Sequence, residues 1–208
     1  MTMDAKTLRS EILRSLLQRP QLSNFKLIGT ERIVARESTE FVPSIELVTN
    51  PLPGGHAVDV HGAIYWRRFS TVAQHVIGGA APETIKVRPW ETACIVVSFG
   101  KLTNDAARWA SRRASGPADV VRLVEDITHA YETDAKTFLS RCSTAEGLLS
   151  YLDEHPDAPG TWRLMLEFLL RERVLDLRTA CSSLKAKVPR TEWERRQQSW
   201  LVSNICRP

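Results

Sequence analysis

Long apolar segments are missing from this sequence of 208 residues. A helix that crosses a bilayer needs roughly 18 or more apolar residues, whereas the longest apolar run, from Ala93 to Val97, has the length of a strand. Residues 1–18 carry charges and have neither a continuous apolar core nor a small-residue cleavage site, so they differ from a signal peptide. We therefore expect a cytoplasmic protein without a membrane partner.

Recognisable catalytic and cofactor motifs are also missing. The sequence contains no GxxxxGKS/T or GxGxxG phosphate-binding loop and no GxSxG nucleophile elbow. The glycine pairs Gly54-Gly55 and Gly78-Gly79 lack the partner residues of a nucleotide site, and they predict turns. The sequence thus predicts no cofactor and no catalytic residue, although an enzyme with an unrecognised site stays an alternative.

Cysteines are few and widely spaced. The four of them form no CxxC pair, which argues against a zinc site. Disulfides are rare in the cytosol, and Cys94 and Cys181 both lie in apolar patterns, so we expect free buried thiols.

The composition is that of a globular protein with one uneven feature, its charge. Hydrophobic residues make up 43% of the chain and charged residues 25%, which is enough for a real core. The net charge of +4 comes from residues 160–208, which hold ten Arg and Lys against five Asp and Glu. This basic segment could attract an acidic partner or nucleic acid, and its ordinary interpretation is a solvated helix face.

The first half of the chain alternates between one helical pattern and several strand patterns. Residues 4–18 carry an apolar stripe at helical spacing, and Pro20 ends it. Period-two patterns then predict a strand or hairpin that bends at Gly29-Thr30, a second strand around Ile45, and a third from Ala57 to Arg67. Residues 92–99 are apolar on both sides, which predicts a strand that is central or covered by helices.

From Asn104 onward the pattern is helical. Gly116-Pro117 opens a long helix, and later helices are expected to begin at the capping residues Ser143 (with Glu146), Thr161, Asp176 and Thr191 (with Glu194). We expect an α+β fold: an N-terminal helix, a mainly antiparallel sheet of about four to six strands, and a helical C-terminal half. The predicted regions are residues 1–115 and 116–208, which together form one structural unit.

One face of the third strand is the predicted contact surface. Val58, Val60 and Ile64 share the inner side, so the alternate residues should lie on an open or partly open face. Tyr and Arg are frequent binding anchors. The predicted partner-binding residues are Asp59, His61, Tyr65, Arg67 and, beyond the strand end, Arg68.

His56, Asp59 and His61 form the densest group of possible metal ligands. Asp59 and His61 are two apart on a strand and point to the same side, whereas His56 has the opposite parity. The interpretation we adopt is a polar sheet face that meets water or a partner, so no metal site is predicted.

The layout as a whole resembles a bacterial family of α+β domains of unknown function that lie beside polymorphic toxin genes and are presumed immunity proteins. The resemblance covers residues 6–185. It rests on the segments Phe25-Lys26-Leu27-Ile28-Gly29, Val58-Asp59-Val60-His61-Gly62, Asp119 to Leu139, and Ser143 to Leu149. It implies an α+β fold, a bacterial origin and a cognate protein toxin as partner, and it offers no catalytic residues.

Three functions follow from these patterns. The first is an immunity-type binding protein that neutralises a toxin by direct contact. The second is a hydrolase or nucleotide-modifying enzyme whose site would need Asp59, His61 or Ser98 to converge. The third is a nucleic-acid-binding regulatory module that uses the basic C-terminal helices.

Overall fold

The computed structural model describes residues 3–37, 40–78, 92–110, 112–156 and 162–207. It confirms the α+β fold, with an N-terminal helix, an antiparallel sheet and a helical C-terminal half. The strands are β1 (Phe25–Ile28), β2 (Arg32–Ala35), β3 (Phe41–Leu52), β4 (Gly55–Trp66), β5 (Ala93–Ser98) and β6 (Arg113–Ala114).

Helices account for most of the remaining described chain. They are α1 (Ala5–Leu17), α2 (Arg67–Gly78), α3 (Phe99–Leu102), α4 (Ala106–Ala110), α5 (Pro117–Ala130), α6 (Lys136–Arg141), α7 (Ala145–Glu154), α8 (Arg163–Val174), α9 (Leu177–Ala186) and α10 (Glu192–Asn204). A 3-10 turn, Pro20–Leu22, follows α1, and a π turn, Tyr131–Ala135, joins α5 to α6.

The sheet has the strand order β1-β2-β3-β4-β5, and the short β6 pairs with β4. The β1–β2 hairpin pairs Phe25 with Ala35, and it turns at Gly29, whose φ of 62° favours glycine. Strands β2 and β3 pair Ile33 with Ile45. The predicted hairpin and second strand therefore share one inner face of the sheet, on which Phe25, Ile33 and Ile45 are all buried.

The chain divides into two compact units that are interleaved in sequence. The first unit comprises Met1–Ile64 and Val96–Ser140, and the second comprises Tyr65–Ile95 and Arg141–Pro208. This division differs from a boundary after residue 115, because the chain enters the second unit once at the end of β4 and again within α6.

The first unit packs helices against one side of the sheet. Helix α1 begins at the N-cap Asp4, which accepts hydrogen bonds from the backbone of Lys6 and Thr7 at 3.0 Å. Its apolar stripe is buried against β1, β3 and α5. A Cβ on Gly62 of β4 would lie 3.3 Å from Leu102, so this strand passes close to the helical layer.

The second unit is built around α8, which contacts α7, α9 and α10. Half of this helix is buried, namely Leu164, Met165, Leu166, Phe168, Leu169 and Leu170. Polar side chains of α10 form hydrogen bonds with backbone groups near the start of α8 and at the end of α9. Gln197 accepts from the Met165 backbone at 3.3 Å, and Gln198 donates to the carbonyls of Leu184 and Lys187, each at 2.7 Å.

The observed helix starts confirm some of the predicted capping residues and correct others. Asp176 caps α9 as predicted, whereas Thr144, one residue later than expected, caps α7 through the Gly147 amide. Thr191 caps α10, but Glu194 accepts from the Arg190 amide at 2.6 Å instead of closing a capping box. The predicted cap Thr161 lies outside the described residues.

Strand β5 is not central. It stands at one end of the described strand order, and Val96 is 49% exposed. The apolar residues on both sides of β5 therefore do not mark a central strand. At this end position one of them, Val96, is exposed to solvent. Strand β6 was not predicted, because two residues are too short for a recognisable pattern.

Candidate functional site

The five predicted contact residues divide between the two units. Asp59 and His61 lie in the first unit, on the half-buried part of β4, and Tyr65, Arg67 and Arg68 belong to the second. Arg67 is exposed at the first position of α2, and Arg68 forms an ion pair with Glu172 at 2.5 Å. Neither arginine is a strand residue, which corrects the strand boundary predicted at Arg67.

Tyr65 is not an open-face residue. Its side chain is only 3% exposed, and Ala63 on the same side of β4 is completely buried. Strand alternation predicts which residues share a side, but not where along the strand that side becomes covered. The expectation of an accessible Tyr65 was therefore wrong.

The accessible part of this sheet face lies near the β3–β4 turn. Asn50 on β3 donates a 3.3 Å hydrogen bond to the Asp59 carboxylate on β4, which places the two side chains on the same face. Alternation adds Glu46 and Val48 from β3 and His61 from β4. We call Glu46, Val48, Asn50, Asp59 and His61 the open sheet surface.

This surface combines one apolar side chain with polar groups. Val48 is 43% exposed. Glu46 is directly opposite Arg32 on β2 and forms a 3.4 Å ion pair with it. Asp59 and Glu46 are thus held by neighbouring strands, so the surface presents polar groups in fixed positions around Val48.

A second feature of the first unit is a cavity of 380 Å³ beside the β3–β4 turn. Its walls come from that turn, from β6 and from the first turns of α5. Three arginines contribute to the lining, and we therefore call it the arginine pocket. Its polar and charged lining side chains are His56, Arg112, Arg113, Ser115, Asp119 and Arg122.

Two glycines shape the wall formed by the turn. Gly54 has a φ of 78°, which an L side chain rarely adopts. Gly55 approaches β6 so closely that a Cβ would lie 2.7 Å from the Ala114 carbonyl oxygen. This approach lets β6 pair with β4, His56 opposite Ala114 and Ala57 opposite Arg113, and so positions Arg113 at the pocket.

Asp119 lines the pocket, but its carboxylate already has partners. It accepts hydrogen bonds from the Ser115 amide at 2.8 Å, the Ser115 hydroxyl at 3.0 Å and the Gly116 amide at 3.3 Å. These bonds, that of the Ser115 amide foremost, lower the pKa of Asp119, so the group is ionised at neutral pH. Its role is to cap the start of α5.

Arg112 is held from two sides. Its guanidinium forms an ion pair with Asp126, which also binds Arg108 at 2.9 Å, and it lies 5.2 Å from the centre of the Trp109 ring. The Nε–H of Arg112 is nevertheless buried and has no acceptor among the described residues. A buried donor without a partner costs free energy, so the ion pair with Asp126 and the contact with Trp109 hold Arg112 in place despite one unmade hydrogen bond.

The pocket has a surplus of positive charge. Within the described chain, neither Arg113 nor Arg122 has a carboxylate within salt-bridge distance; Arg122 only adds a longer-range attraction to Asp119. Arg108, Arg112, Arg113 and Arg122 together face the two carboxylates Asp119 and Asp126, which leaves two positive charges.

His56 belongs to the pocket and not to a metal cluster with Asp59 and His61. Its Nε2 lies 3.0 Å from the Met3 carbonyl oxygen, and its Nδ1 is buried without a partner in the described part of the chain. Among the residues that the structure describes, no group of three His, Cys, Asp or Glu side chains could hold a metal ion.

The residues proposed for an enzyme have other local contacts. Ser98 is the N-cap of α3, where its hydroxyl accepts from the Lys101 amide at 3.4 Å, and Asp59 accepts from Asn50.

Nothing in the described ranges is both long and apolar enough to be a membrane-spanning helix.

Many charges of the basic C-terminal helices are balanced within the second unit. Glu167 binds Arg163 at 2.6 Å and Lys187 at 2.7 Å. Arg195 pairs with Glu192, and Arg171 lies 3.6 Å from Asp153. The cationic surplus of this segment is therefore spread over helix surfaces.

The cysteines correct one prediction. Cys181 and Cys206 form a disulfide between α9 and the segment after α10, whereas Cys94 and Cys142 are free and buried as expected. Spacing in the sequence did not indicate this pair, because 25 residues separate two positions whose Cα atoms lie 5.7 Å apart. Disulfides are typical of oxidising compartments, so this bond does not support a cytoplasmic location. The cytoplasmic location stays a prediction.

The arginine pocket was missed by the sequence interpretation, which predicted a helical pattern from Asn104 onward. Helix α4 ends at Ala110, and Arg113 belongs to β6. The available signal was the combination of Gly54-Gly55 with Arg112-Arg113, but only the β4–β6 pairing brings these segments together.

Comparisons with protein-family models, with curated proteins and with solved structures find no match to this chain.

Proposed function

We propose that this chain is an immunity-type binding protein that neutralises a cognate bacterial toxin by direct contact in the cytoplasm. The observation that carries the proposal is the open sheet surface, where an exposed apolar side chain is surrounded by fixed polar groups. An apolar centre with a polar rim is the usual arrangement of a protein–protein interface.

The fixed positions of the polar groups favour binding. The Asn50–Asp59 hydrogen bond and the Arg32–Glu46 ion pair both join adjacent strands. Side chains that are already ordered lose less conformational entropy when a partner binds. The open sheet surface is thus prepared for a partner before the partner arrives.

The resemblance of residues 6–185 to the immunity-type family supports the choice of a protein as partner. Of the contact residues predicted from sequence, Asp59 and His61 belong to the open sheet surface, and Val48 and Asn50 join them. Arg67 and Arg68, in the second unit, stay predicted contacts, whereas the buried Tyr65 is not proposed again.

The proposal is tested by expressing the chain together with the toxin-like product of a neighbouring gene. We expect the chain to bind that product and to restore growth. Val48→Asp should weaken binding by about tenfold or more, because it puts a charge at the centre of the interface.

Val121→Asp is the matched control. Val121 is 56% exposed, comparable to Val48, and lies on α5 in the helical layer of the first unit. This variant should bind as the unmodified chain does, and both variants should keep the same circular dichroism spectrum. If the chain binds and rescues against no adjacent gene product, the proposed function is wrong; equal loss in both variants would exclude the open sheet surface.

A further inference from the structure

The arginine pocket has the properties of a built anion site. It is a cavity of 380 Å³, its walls come from two separate parts of the chain, and its charged side chains leave two positive charges unbalanced. Cations that converge on one concave site attract an anionic ligand, so this arrangement favours a role in binding.

The chemistry of the side chains defines the ligand class. A guanidinium group presents a planar fork of donors that matches the oxygens of a phosphate or carboxylate. Arg113 and Arg122 supply two such groups, and Arg112 lines the same cavity. The ligand must therefore offer several oxygens and about two negative charges.

A phosphate monoester meets both requirements, since it carries a charge of about −1.5 to −2 at pH 7 and three acceptor oxygens. The cavity is also larger than a phosphate group alone, and Leu52, Pro53 and Leu123 form an apolar part of its wall. That part provides space for a small organic remainder.

We infer that the arginine pocket binds the phosphate monoester group of a small organic molecule, with Arg112, Arg113 and Arg122 as its anion-binding residues. The site goes beyond the proposed toxin contact and needs no toxin for its detection. Among the described lining residues the one aromatic ring is the His56 imidazole, and no Phe, Tyr or Trp offers a stacking platform for successive bases, which disfavours a nucleic-acid strand.

Titration calorimetry with glycerol phosphate tests the inference, with inorganic phosphate and succinate as comparison anions at constant ionic strength. Constant ionic strength matters because salt screens exposed charges. We expect the unmodified chain to bind glycerol phosphate, and to bind succinate at least about tenfold more weakly, because a phosphate group concentrates its charge and three acceptor oxygens at one point, whereas succinate divides its charge between two separated carboxylates.

The variant Arg113→Ala/Arg122→Ala should weaken glycerol phosphate binding by more than about tenfold. The matched control Arg14→Ala/Arg178→Ala removes the same charge from two exposed helix arginines, one in each unit, and should bind normally. Circular dichroism of both variants shows whether each is folded.

Three results would overturn the inference. The first is an unmodified chain that does not bind glycerol phosphate, whether or not it binds inorganic phosphate. The second is equal affinity for succinate, which would make the pocket a general anion site. The third is an equal loss of affinity in the control variant, which would assign binding to overall charge.

Discussion

The two units differ in how one group of charged side chains is paired. In the second unit, which contains the most basic part of the sequence, Glu167 is bound by Arg163 and Lys187, and Glu172 is bound by Arg68. In the first unit, whose sequence is almost neutral, Arg113 and Arg122 meet at a cavity without a carboxylate in salt-bridge distance among the described residues.

This difference shows that net charge along a sequence does not locate a binding site. Charges that are paired across helices mainly contribute to stability, whereas charges that converge unpaired on a concave surface are available to a ligand. We expect three effects on the free energy of unfolding. In the second unit it should depend on the disulfide and, to a smaller extent, on the ion pairs. In the first unit it should change little when the pocket arginines are removed.

The largest effect is expected from the disulfide of the second unit. Cys181→Ser/Cys206→Ser should lower the free energy of unfolding by about 3 kcal/mol, because the unfolded chain gains the entropy of an open loop. The loop closed by this bond spans 25 residues. Urea unfolding of the oxidised chain and of the variant measures the difference.

Reduction provides the control for this variant. A thiol reductant should destabilise the unmodified chain by the same amount and leave the double variant unchanged. Burial raises the pKa of Cys142 to about 12 and that of Cys94 well above its ordinary value. Alkylation of folded, reduced protein should therefore be slow at these two residues. Identical unfolding curves with and without reductant would show that the second unit does not depend on its cross-link.

The sequence predicted the elements of the fold better than their environment. The helix caps Asp176 and Thr191 and the glycine turn at Gly29 act through contacts within a few residues, and local patterns are sufficient for such features. The position of β5 at the end of the sheet and the burial of Tyr65 depend on distant segments. Alternation along a strand carries no information about those segments.

The candidate site follows the same rule. Asp59 and His61 were correctly assigned to a partly open strand face, because side-chain parity is a local property. The arginine pocket depends on β6, which has only two residues, and on the approach of Gly55 to Ala114. A site whose walls come from two parts of the chain far apart in the sequence, residues 52–56 and 112–123, could not be read from motif spacing.

A smaller effect is expected from Glu167, whose side chain is only 15% exposed. Glu167→Gln should lower the free energy of unfolding by about 2 kcal/mol, because it removes charge-assisted bonds from Lys187 and Arg163 and leaves both cations unpaired. Urea unfolding at pH 7 measures this loss. Glu192→Gln is the control, since Glu192 is 82% exposed and should change stability by less than about 0.5 kcal/mol.

The effect of Glu167 should depend on pH in a defined direction. Burial raises the pKa of Glu167, but the neighbouring Lys187 and Arg163 outweigh it and lower the pKa below its ordinary value of 4.5. The folded state thus has the lower pKa, so the stabilisation is present above pH 4.5 and is lost as the pH falls through the folded-state pKa. An equal loss at pH 7 and pH 3 would contradict this assignment.

The smallest effect on stability is expected in the first unit. Arg113→Ala/Arg122→Ala should change the free energy of unfolding by less than about 0.5 kcal/mol, because neither side chain has a carboxylate partner within the described ranges and both are exposed. Arg122 lies in the second turn of α5, where a positive charge gains nothing from the helix dipole. The same urea unfolding experiment measures this change.

Asp119→Asn separates the arginines from the structural carboxylate of the same pocket. It weakens the bonds to Ser115 and Gly116 that cap α5, so it should cost about 1 kcal/mol, more than removal of both arginines. If the arginine variant is the more destabilised of the two, Arg113 and Arg122 support the fold. The contrast between paired charges in the second unit and a ligand-directed pocket in the first would then be wrong. If it is the less destabilised, the two arginines line the cavity without contributing to folding, as exposed side chains commonly do, and they stay available to a ligand.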